Sequence, residues 1–382
     1  MIGESKVKTA AVICEYNPFH NGHKYQLDMA KKLTECSQIA VLMSGNYVQR
    51  GDFAIYSKSV RAKAALANGA DLVIENPSMF VLRSAEGYAH AAVYTLNSLG
   101  CIDFLVFGAE TDDMNTLKNI AALLSNETPR FQTELKAFLA EGLPYPAARS
   151  KATDKLLGKY ASDILKQPNN LLAVEYLKAL IKLKSDIKPV LIPRSGAAHH
   201  SDRANGCMAS ASFIRTQVLG GANFSSLVPD SAAEIYKNAE PFIPENADKS
   251  ILAALCLMTR SELASVPDIS EGLENKIKKE LSFCTSADEL ILAVKSKRYT
   301  YSRIKRSLIC AFLRICSDDA SILPKYIKVL DFNDRGRQIL NYAKKTASLP
   351  LAKNASAVLR DEAAMSLWKR ELDFDRVYEI LH

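Results

Sequence analysis

No stretch of the chain approaches the ~20 consecutive apolar residues that a membrane-spanning helix needs, so no membrane partner is expected. The N-terminus, Met1-Ile2-Gly3-Glu4-Ser5-Lys6, is polar and runs straight into an apolar segment, which does not read as a signal peptide. The eight cysteines include no Cys-x-x-Cys pair. That argues against a zinc ribbon or a redox pair, suits a reducing cytoplasm, and leaves each cysteine as a small buried hydrophobe. No carboxylate cluster marks a protein-held metal, and no internal repeat or low-complexity tract stands out. The formal charge of +7 is mild and does not by itself indicate nucleic-acid binding. What is there is length. The 382 residues suffice for two or three domains with cores of their own.

Strand and helix signals alternate from residue 7 to about 215. Apolar runs at Val7 to Ile13, Gln38 to Met43, Asp71 to Glu75, Ile102 to Phe107 and Pro189 to Ile192 read as short buried strands. Helical patterns fill the gaps at His23 to Leu33, Ser57 to Asn68, Ala85 to Ser98 and Leu171 to Leu183. This rhythm predicts an α/β fold, a Rossmann-like parallel sheet with helices on both faces. Ligands of such sheets sit beyond the C-terminal strand ends, so each strand-end loop is a candidate wall of the site.

The first of these loops is the most telling. Cys14-Glu15-Tyr16-Asn17-Pro18-Phe19-His20-Asn21-Gly22-His23 places a strand, a turn and then His-x-x-His at a helix start. Backbone N–H groups at a helix N-terminus hold anions, and the helix dipole favours them. Gly22 has no Cβ and lets a phosphate approach the backbone. Two imidazoles three residues apart share one helix face. The second loop, Met43 to Asp52, carries Gly45, Arg50 and Gly51, with Lys58 and Arg61 one turn apart on the next helix; a solvated face explains those two cations as well as a site role does. Gly108 in the fourth loop leaves bare backbone for a base or ribose. The fifth loop ends in Arg194, a candidate clamp for phosphate or carboxylate. Gln167-Pro168-Asn169-Asn170 looks like a capping turn with one Asn to spare for a ligand. In Ser210-Ala211-Ser212-Phe213-Ile214-Arg215, hydroxyls again stand at a helix start.

Beyond about Asn223 the pattern changes to helix periodicity without a convincing strand. A boundary is expected near 225, with residues 1–225 forming the α/β domain and 226–382 an all-helical one. Lys295, Lys297, Arg298, Arg303, Lys305 and Arg306 fall within twelve residues with no acid among them, and Tyr299 and Tyr301 interleave. Lys and Arg meet backbone phosphates, and Tyr stacks on unpaired bases. A solvated helix start beside core tyrosines is the competing explanation of the same residues.

His20-Asn21-Gly22-His23 resembles the HIGH signature of the nucleotidylyltransferases, and Ser210-Ala211-Ser212-Phe213-Ile214-Arg215 resembles the late phosphate-binding element of that superfamily. With Met43-Ser44-Gly45, Gln49-Arg50-Gly51, Phe107-Gly108-Ala109-Glu110 and Pro168-Asn169-Asn170-Leu171, the order of motifs resembles the bacterial tRNA(Met) cytidine acetate ligase family across essentially the whole chain. That resemblance implies ATP-dependent activation of acetate as acetyl-adenylate, then acetylation of the wobble cytidine of elongator tRNA(Met). It implies an ATP site lined by Ile13, Cys14, Glu15, Tyr16, Asn17, Pro18, Phe19, His20, Asn21, Gly22, His23, Lys24, Tyr25 and Gln26. Gly108, Asn169 or Asn170, and Arg194 would complete that site, together with Ser212 and Arg215. His20 and His23 would be catalytic, Mg²⁺ would arrive with ATP, and Lys297, Arg298, Tyr299, Tyr301, Arg303, Lys305 and Arg306 would meet the tRNA. Two alternatives stay open on the motifs alone. One is an adenylyltransferase acting on a small phosphorylated metabolite, and the other is a non-catalytic nucleotide- or RNA-binding module.

Overall fold

The five runs that break at Gly, Pro or Asn form five parallel strands. A computed structural model describes residues 7–193, 206–296 and 298–382. In it β1 (Thr9–Cys14), β2 (Gln38–Ser44), β3 (Leu72–Asn76), β4 (Phe104–Ala109) and β5 (Lys188–Pro193) coincide with the predicted runs. The sheet has seven strands in the order β5-β4-β1-β2-β3-β6-β7. Side chains alternate across it as strand geometry requires. Ala11, Leu42, Ile74 and Leu105 face one core with helices Ala85–Ser98, Met114–Ser125 and Pro168–Lys182. Val12, Val41, Val73 and Val106 face the other with helices Asn21–Thr34, Lys58–Ala67 and Asp230–Lys237.

β1 is flanked by β2 on one side and by β4 on the other. Chain direction across the sheet therefore reverses at the β1/β4 boundary. A crevice opens beyond the C-terminal ends of strands at such a switch. The two loops that border it are those after Cys14 and Ala109.

The reading of residues 226–382 as wholly helical is corrected in two places. β6 (Ile327–Phe332) pairs antiparallel with β3, and the short β7 (Leu351–Ala352) pairs parallel with β6. A single strand inside a helical stretch has no repeating strand–helix rhythm to betray it. Its partner, β3, lies some 250 residues earlier in the chain. Elsewhere this part is helical. Its third core joins Leu255, Leu308, Trp368 and Phe374 to Tyr47, Phe53 and Phe80 of the first half. The last helix, Glu362–Leu381, is pinned to the loop after β2. Tyr47 Oη donates to the Phe374 carbonyl at 3.0 Å, and Tyr378 Oη donates to the Ala54 carbonyl at 2.8 Å.

Candidate active site

β1 ends at Cys14, and the chain must turn before the helix Asn21–Thr34 can start. Four bonds fix that turn. Asn17 Oδ1 accepts from the Ile55 N–H at 2.8 Å. The Asn17 carbonyl accepts from Arg215 Nη1 at 2.8 Å. Phe19 N–H donates to Tyr236 Oη at 2.8 Å, and Glu15 Oε1 accepts from Gln49 N–H at 3.0 Å. Tyr16, Asn17, Pro18 and Phe19 are buried. These four residues therefore build the buried floor of the loop.

His20 is the N-cap of the helix. Its Nδ1 accepts from Gly22 N–H at 3.0 Å, and His23 Nδ1 accepts from His20 N–H at 3.3 Å. The two rings stack with centroids 3.8 Å apart, and Tyr16 lies 4.8 Å from His23. Because both Nδ1 atoms accept backbone protons, each neutral ring carries its own proton on Nε2. Two Nε2–H donors are thus set beside the positive end of a helix. A Cβ on Gly22 would lie 2.9 Å from His20 Cε1, so a side chain there would push the first imidazole out of place. Ile13 is half-buried at the strand end, Lys24 pairs with Asp28 at 2.5 Å, and Gln26 is half-buried on the same helix; Tyr25 is exposed.

The late motif meets the early one. Ser210 caps the helix Ala211–Leu219 by accepting from Phe213 N–H at 3.1 Å. One turn on, Arg215 reaches Asn17 O, and its Nη2 lies 3.3 Å from Ser212 Oγ. Asn21 Nδ2 donates to the Cys207 and Ser226 carbonyls at 2.9 and 3.0 Å. Residues almost 200 positions apart thus close one wall. Arg194 and Lys297 lie outside the described residues.

Across the crevice, the expectation that Asn169 or Asn170 caps its own helix is corrected. The N-cap is Gln167, with no side-chain cap bond. Both asparagines instead bind the loop after β4. Asn170 Oδ1 accepts from Glu110 and Thr111 N–H at 2.8 and 3.0 Å, and Glu110 Oε1 accepts from Asn169 Nδ2 at 2.6 Å. Glu110 in turn caps that helix, its Oε2 accepting from Asn170 N–H at 2.8 Å. Two partly buried loop N–H groups need an acceptor, and Asn170 Oδ1 serves both. Gly108 stands half-buried at the end of β4, just before this exchange.

The loop after β2 carries residues whose importance the sequence left undecided. Lys58 and Arg61 are not on a solvated face. Arg61 is fully buried, and Lys58 pairs with Glu75 at 2.6 Å and with Asp375. Among the described residues, Glu75, Glu371 and Asp375 are the three acids close enough together to hold a metal. Lys58 and Lys328 lie within that group, so their ammonium ions already supply its positive charge. Glu371 and Asp375 belong to the last helix, where spacing alone gave no hint that they meet β3.

Gly51 connects this loop to the basic segment. Its φ is +82°, and a Cβ would lie 2.5 Å from Arg306 N. Lys305 also pairs with Asp52. Gly51→Ala is expected to cost about 1–3 kcal/mol in urea unfolding, since it needs a left-handed backbone and displaces the helix Tyr301–Phe312.

The basic segment itself is largely engaged. Arg306 is buried and pairs with Asp268, and Arg303 donates to the Asp268 carbonyl at 2.9 Å. Tyr299 is buried, donates to the Ser270 carbonyl at 2.6 Å and carries the Arg303 guanidinium over its ring. Tyr299 and Arg306, expected to meet a base and a phosphate, are thus both buried and bonded within the protein. Tyr301 is half-buried and bonds Asp288. Arg298 is exposed and holds a surface pair with Glu271 at 2.5 Å.

Residues 7–382 match the family model described as HIGH Nucleotidyl Transferase. A tRNA(Met) cytidine acetate ligase of Clostridium novyi (strain NT) is 38% identical over 372 residues, covering 93% of this chain and 92% of that protein. One from Thermoanaerobacter sp. (strain X514) is 38% identical over 383 residues, covering 97% and 94%. Thermotoga maritima TmcAL in an apo crystal form is 29% identical with a TM-score of 0.93, covering 98% of this chain and 95% of that one. The same protein bound with alpha-thio ATP is 30% identical with a TM-score of 0.90, covering 98% and 94%. With the His20–His23 helix start at the end of a central strand and these likenesses running the length of the chain, the protein belongs to the tRNA(Met) cytidine acetate ligase family of HIGH nucleotidyl transferases.

Proposed function

We propose that the protein activates acetate with ATP and transfers the acetyl group to the wobble cytidine of elongator tRNA(Met). A carboxylate oxygen of acetate attacks the α-phosphorus, the bond to the bridging oxygen breaks, and pyrophosphate leaves. The exocyclic amine of the cytidine then attacks the acetyl carbonyl of acetyl-adenylate. N4-acetylcytidine forms, and AMP departs with the electron pair of the broken C–O bond.

One observation carries this reading. His20 and His23 stack at a helix N-terminus with both Nδ1 atoms occupied by backbone N–H groups. Their Nε2–H donors suit the charge that builds on the α-phosphate and on the leaving pyrophosphate. This is electrostatic stabilisation by preorganised groups, with no covalent intermediate on the protein. Arg215 and Ser212 hold the loop against the helix Ala211–Leu219 and offer further donors. Gly108 gives the adenosine a place against bare backbone. Asn169, which bonds Glu110 in the loop after Gly108, is assigned to the same site, and Arg194 is assigned to the phosphates by its motif.

Mg²⁺ is assigned to the nucleotide. The Glu75–Glu371–Asp375 group is filled by lysines and does not suit a cation. Mg²⁺ brought by ATP would neutralise phosphate charge. The functional boundary is placed near residue 225. In the second part, the tRNA backbone is assigned to Lys297, Arg298, Arg303 and Lys305. Exposed pairs such as Arg298–Glu271 are worth little and exchange readily for phosphate.

The test is nucleoside analysis of tRNA after incubation with ATP, Mg²⁺, acetate and unmodified elongator tRNA(Met), with His20→Ala as control. N4-acetylcytidine that requires both acetate and His20 is the expected result. Acetate-dependent pyrophosphate release without acetylcytidine would keep the activation step and overturn the tRNA substrate.

A further inference from the structure

Arg61 is the largest of the fully buried side chains, at 0% exposure. Its guanidinium donates through Nε to the Tyr56 carbonyl at 2.9 Å, and through Nη1 to Glu15 O at 2.5 Å and Ser44 O at 3.1 Å. Its Nη2 bonds the Gly45 carbonyl. One side chain thus ties the loop after β1 to the loop after β2. These acceptors are carbonyl dipoles, which solvate a guanidinium and leave its unit charge uncancelled.

The contrast with the other buried cations is sharp. Lys178 pairs with Glu175 at 2.7 Å, Lys328 with Glu75 at 2.7 Å, and Arg306 with Asp268. Among the described residues, no carboxylate lies within ion-pair distance of Arg61. Glu15, next to the bonded carbonyl, gives its carboxylate to Gln49 N–H. Burying a cation without a counter-charge is expensive, and arginine does not escape by deprotonating. A second charge supplied at this loop would repay the cost, and the helix start at His20 is where the proposed function places the ATP phosphates.

We propose that the ATP polyphosphate is the counter-charge of Arg61, which makes Arg61 a positioning residue for adenylation. It holds the strand-end loops in register. It also sets a positive potential at the phosphate site, which water and salt screen little because the guanidinium is buried. The proposal rests on the assignment of ATP to the His20–His23 loop. It goes beyond that assignment because Arg61 sits behind the loop on the helix Lys58–Ala67.

The consequence is a dependence on ligand charge. Affinities for adenosine, AMP and ATP are measured calorimetrically on the full-length wild type, Arg61→Gln and Arg61→Lys, with urea unfolding of each. Wild type should prefer ATP to adenosine. Arg61→Gln, which keeps an amide donor and loses the charge, should lose at least tenfold for ATP, less for AMP, and within twofold for adenosine. Arg61→Lys should keep the ATP-to-adenosine ratio within about threefold of wild type even where both affinities fall. Equal losses for adenosine and ATP in Arg61→Gln would reduce Arg61 to a structural clasp and overturn the proposal. If Arg61→Gln fails to fold, collapse of the ratio in Arg61→Lys overturns it instead. A wild type with no preference for ATP over adenosine would overturn the ATP assignment itself, a different and distinguishable failure.

Discussion

His20→Asn should lower acetate-dependent ATP–pyrophosphate exchange by about 10²–10³-fold, the usual loss for one donor to a developing oxyanion. The choice of asparagine matters. His20 is the N-cap of its helix, accepting from Gly22 N–H at 3.0 Å. Alanine would remove that cap and cost about 1 kcal/mol, whereas asparagine is among the best N-cap residues and keeps it. The variant should therefore unfold in urea close to wild type. Its defect is expected in the phosphoryl step alone. With acetyl-adenylate supplied directly, acetyl transfer to tRNA should run within about threefold of wild type. If transfer and exchange fell together, the imidazole would be placing the nucleotide and not stabilising its transition state. Unchanged exchange would remove His20 from the chemistry.

The sequence carried this part of the site well because its signals are local. A strand, a proline-containing turn, Gly22 and two histidines lie within about twenty residues, and hydrogen bonds along the backbone do the rest. The five parallel strands were legible for the same reason. Each is a short apolar run with a breaker behind it. The resemblance put Asn17 and Arg215 at one site, but the bond between them was not legible, since nothing local links positions 198 apart.

Long-range electrostatics was not legible. Lys58 and Arg61 look alike on paper, two cations one turn apart on a helix. One proves to be paired with acids from β3 and the last helix, and the other to be bonded to four carbonyls. Burial separated them, and burial depends on what the rest of the chain brings. The same holds for Tyr299 and Arg306. Charge run and aromatic spacing suggested a nucleic-acid surface, but Asp268 and Ser270 fold over and occupy them. Between β4 and the helix Pro168–Lys182, four helices at Met114–Ser125, Pro129–Ala140, Tyr145–Leu157 and Lys159–Ile164 were not legible, because strand rhythm says nothing of an inserted helical stretch.

Lys58→Met should destabilise the protein by about 3–5 kcal/mol, and Glu371→Gln in the same chain should recover part of that loss. The lysine is one of two cations facing two buried carboxylates, Glu75 and Glu371, and the half-buried Asp375. Its Nζ lies 2.6 Å from Glu75 and also pairs with Asp375, while Lys328 lies 2.7 Å from Glu75 and 3.6 Å from Asp375. Glu371 completes the group and accepts from Ser78 N–H at 2.9 Å and Ser78 Oγ at 2.7 Å. Removing one member of a buried ion cluster strands the charges left behind, which is the source of the large cost. Glutamine at 371 still accepts from Ser78 and, at pH 8 where Glu371 is ionised, removes one negative charge, so at that pH the two substitutions should be non-additive in a double-mutant cycle.

The pH dependence gives an independent handle on the same group. Burial, with Glu75 and Asp375 close by, pushes the Glu371 carboxyl from 4.5 up to about 7 against the pull of Lys58 and Lys328. The folded state then binds a proton that the unfolded chain has released. This contribution is fully present below about pH 4.5 and is lost as pH rises through about 7. Burial would raise Glu75 too, but Lys58 and Lys328 outweigh it and hold that carboxyl low, so its own contribution fades only at more acid pH. Between pH 5.5 and 8, wild-type stability should therefore fall by about 2 kcal/mol on account of Glu371. Glu371→Gln should flatten that slope and unfold at higher urea than wild type at pH 8, with the advantage shrinking at pH 5.5. Parallel curves for the two proteins would mean that Glu371 is ionised across the range. The lysines would then be balancing three charges, and the helix Glu362–Leu381 would be held to β3 by full ion pairing without a shared proton.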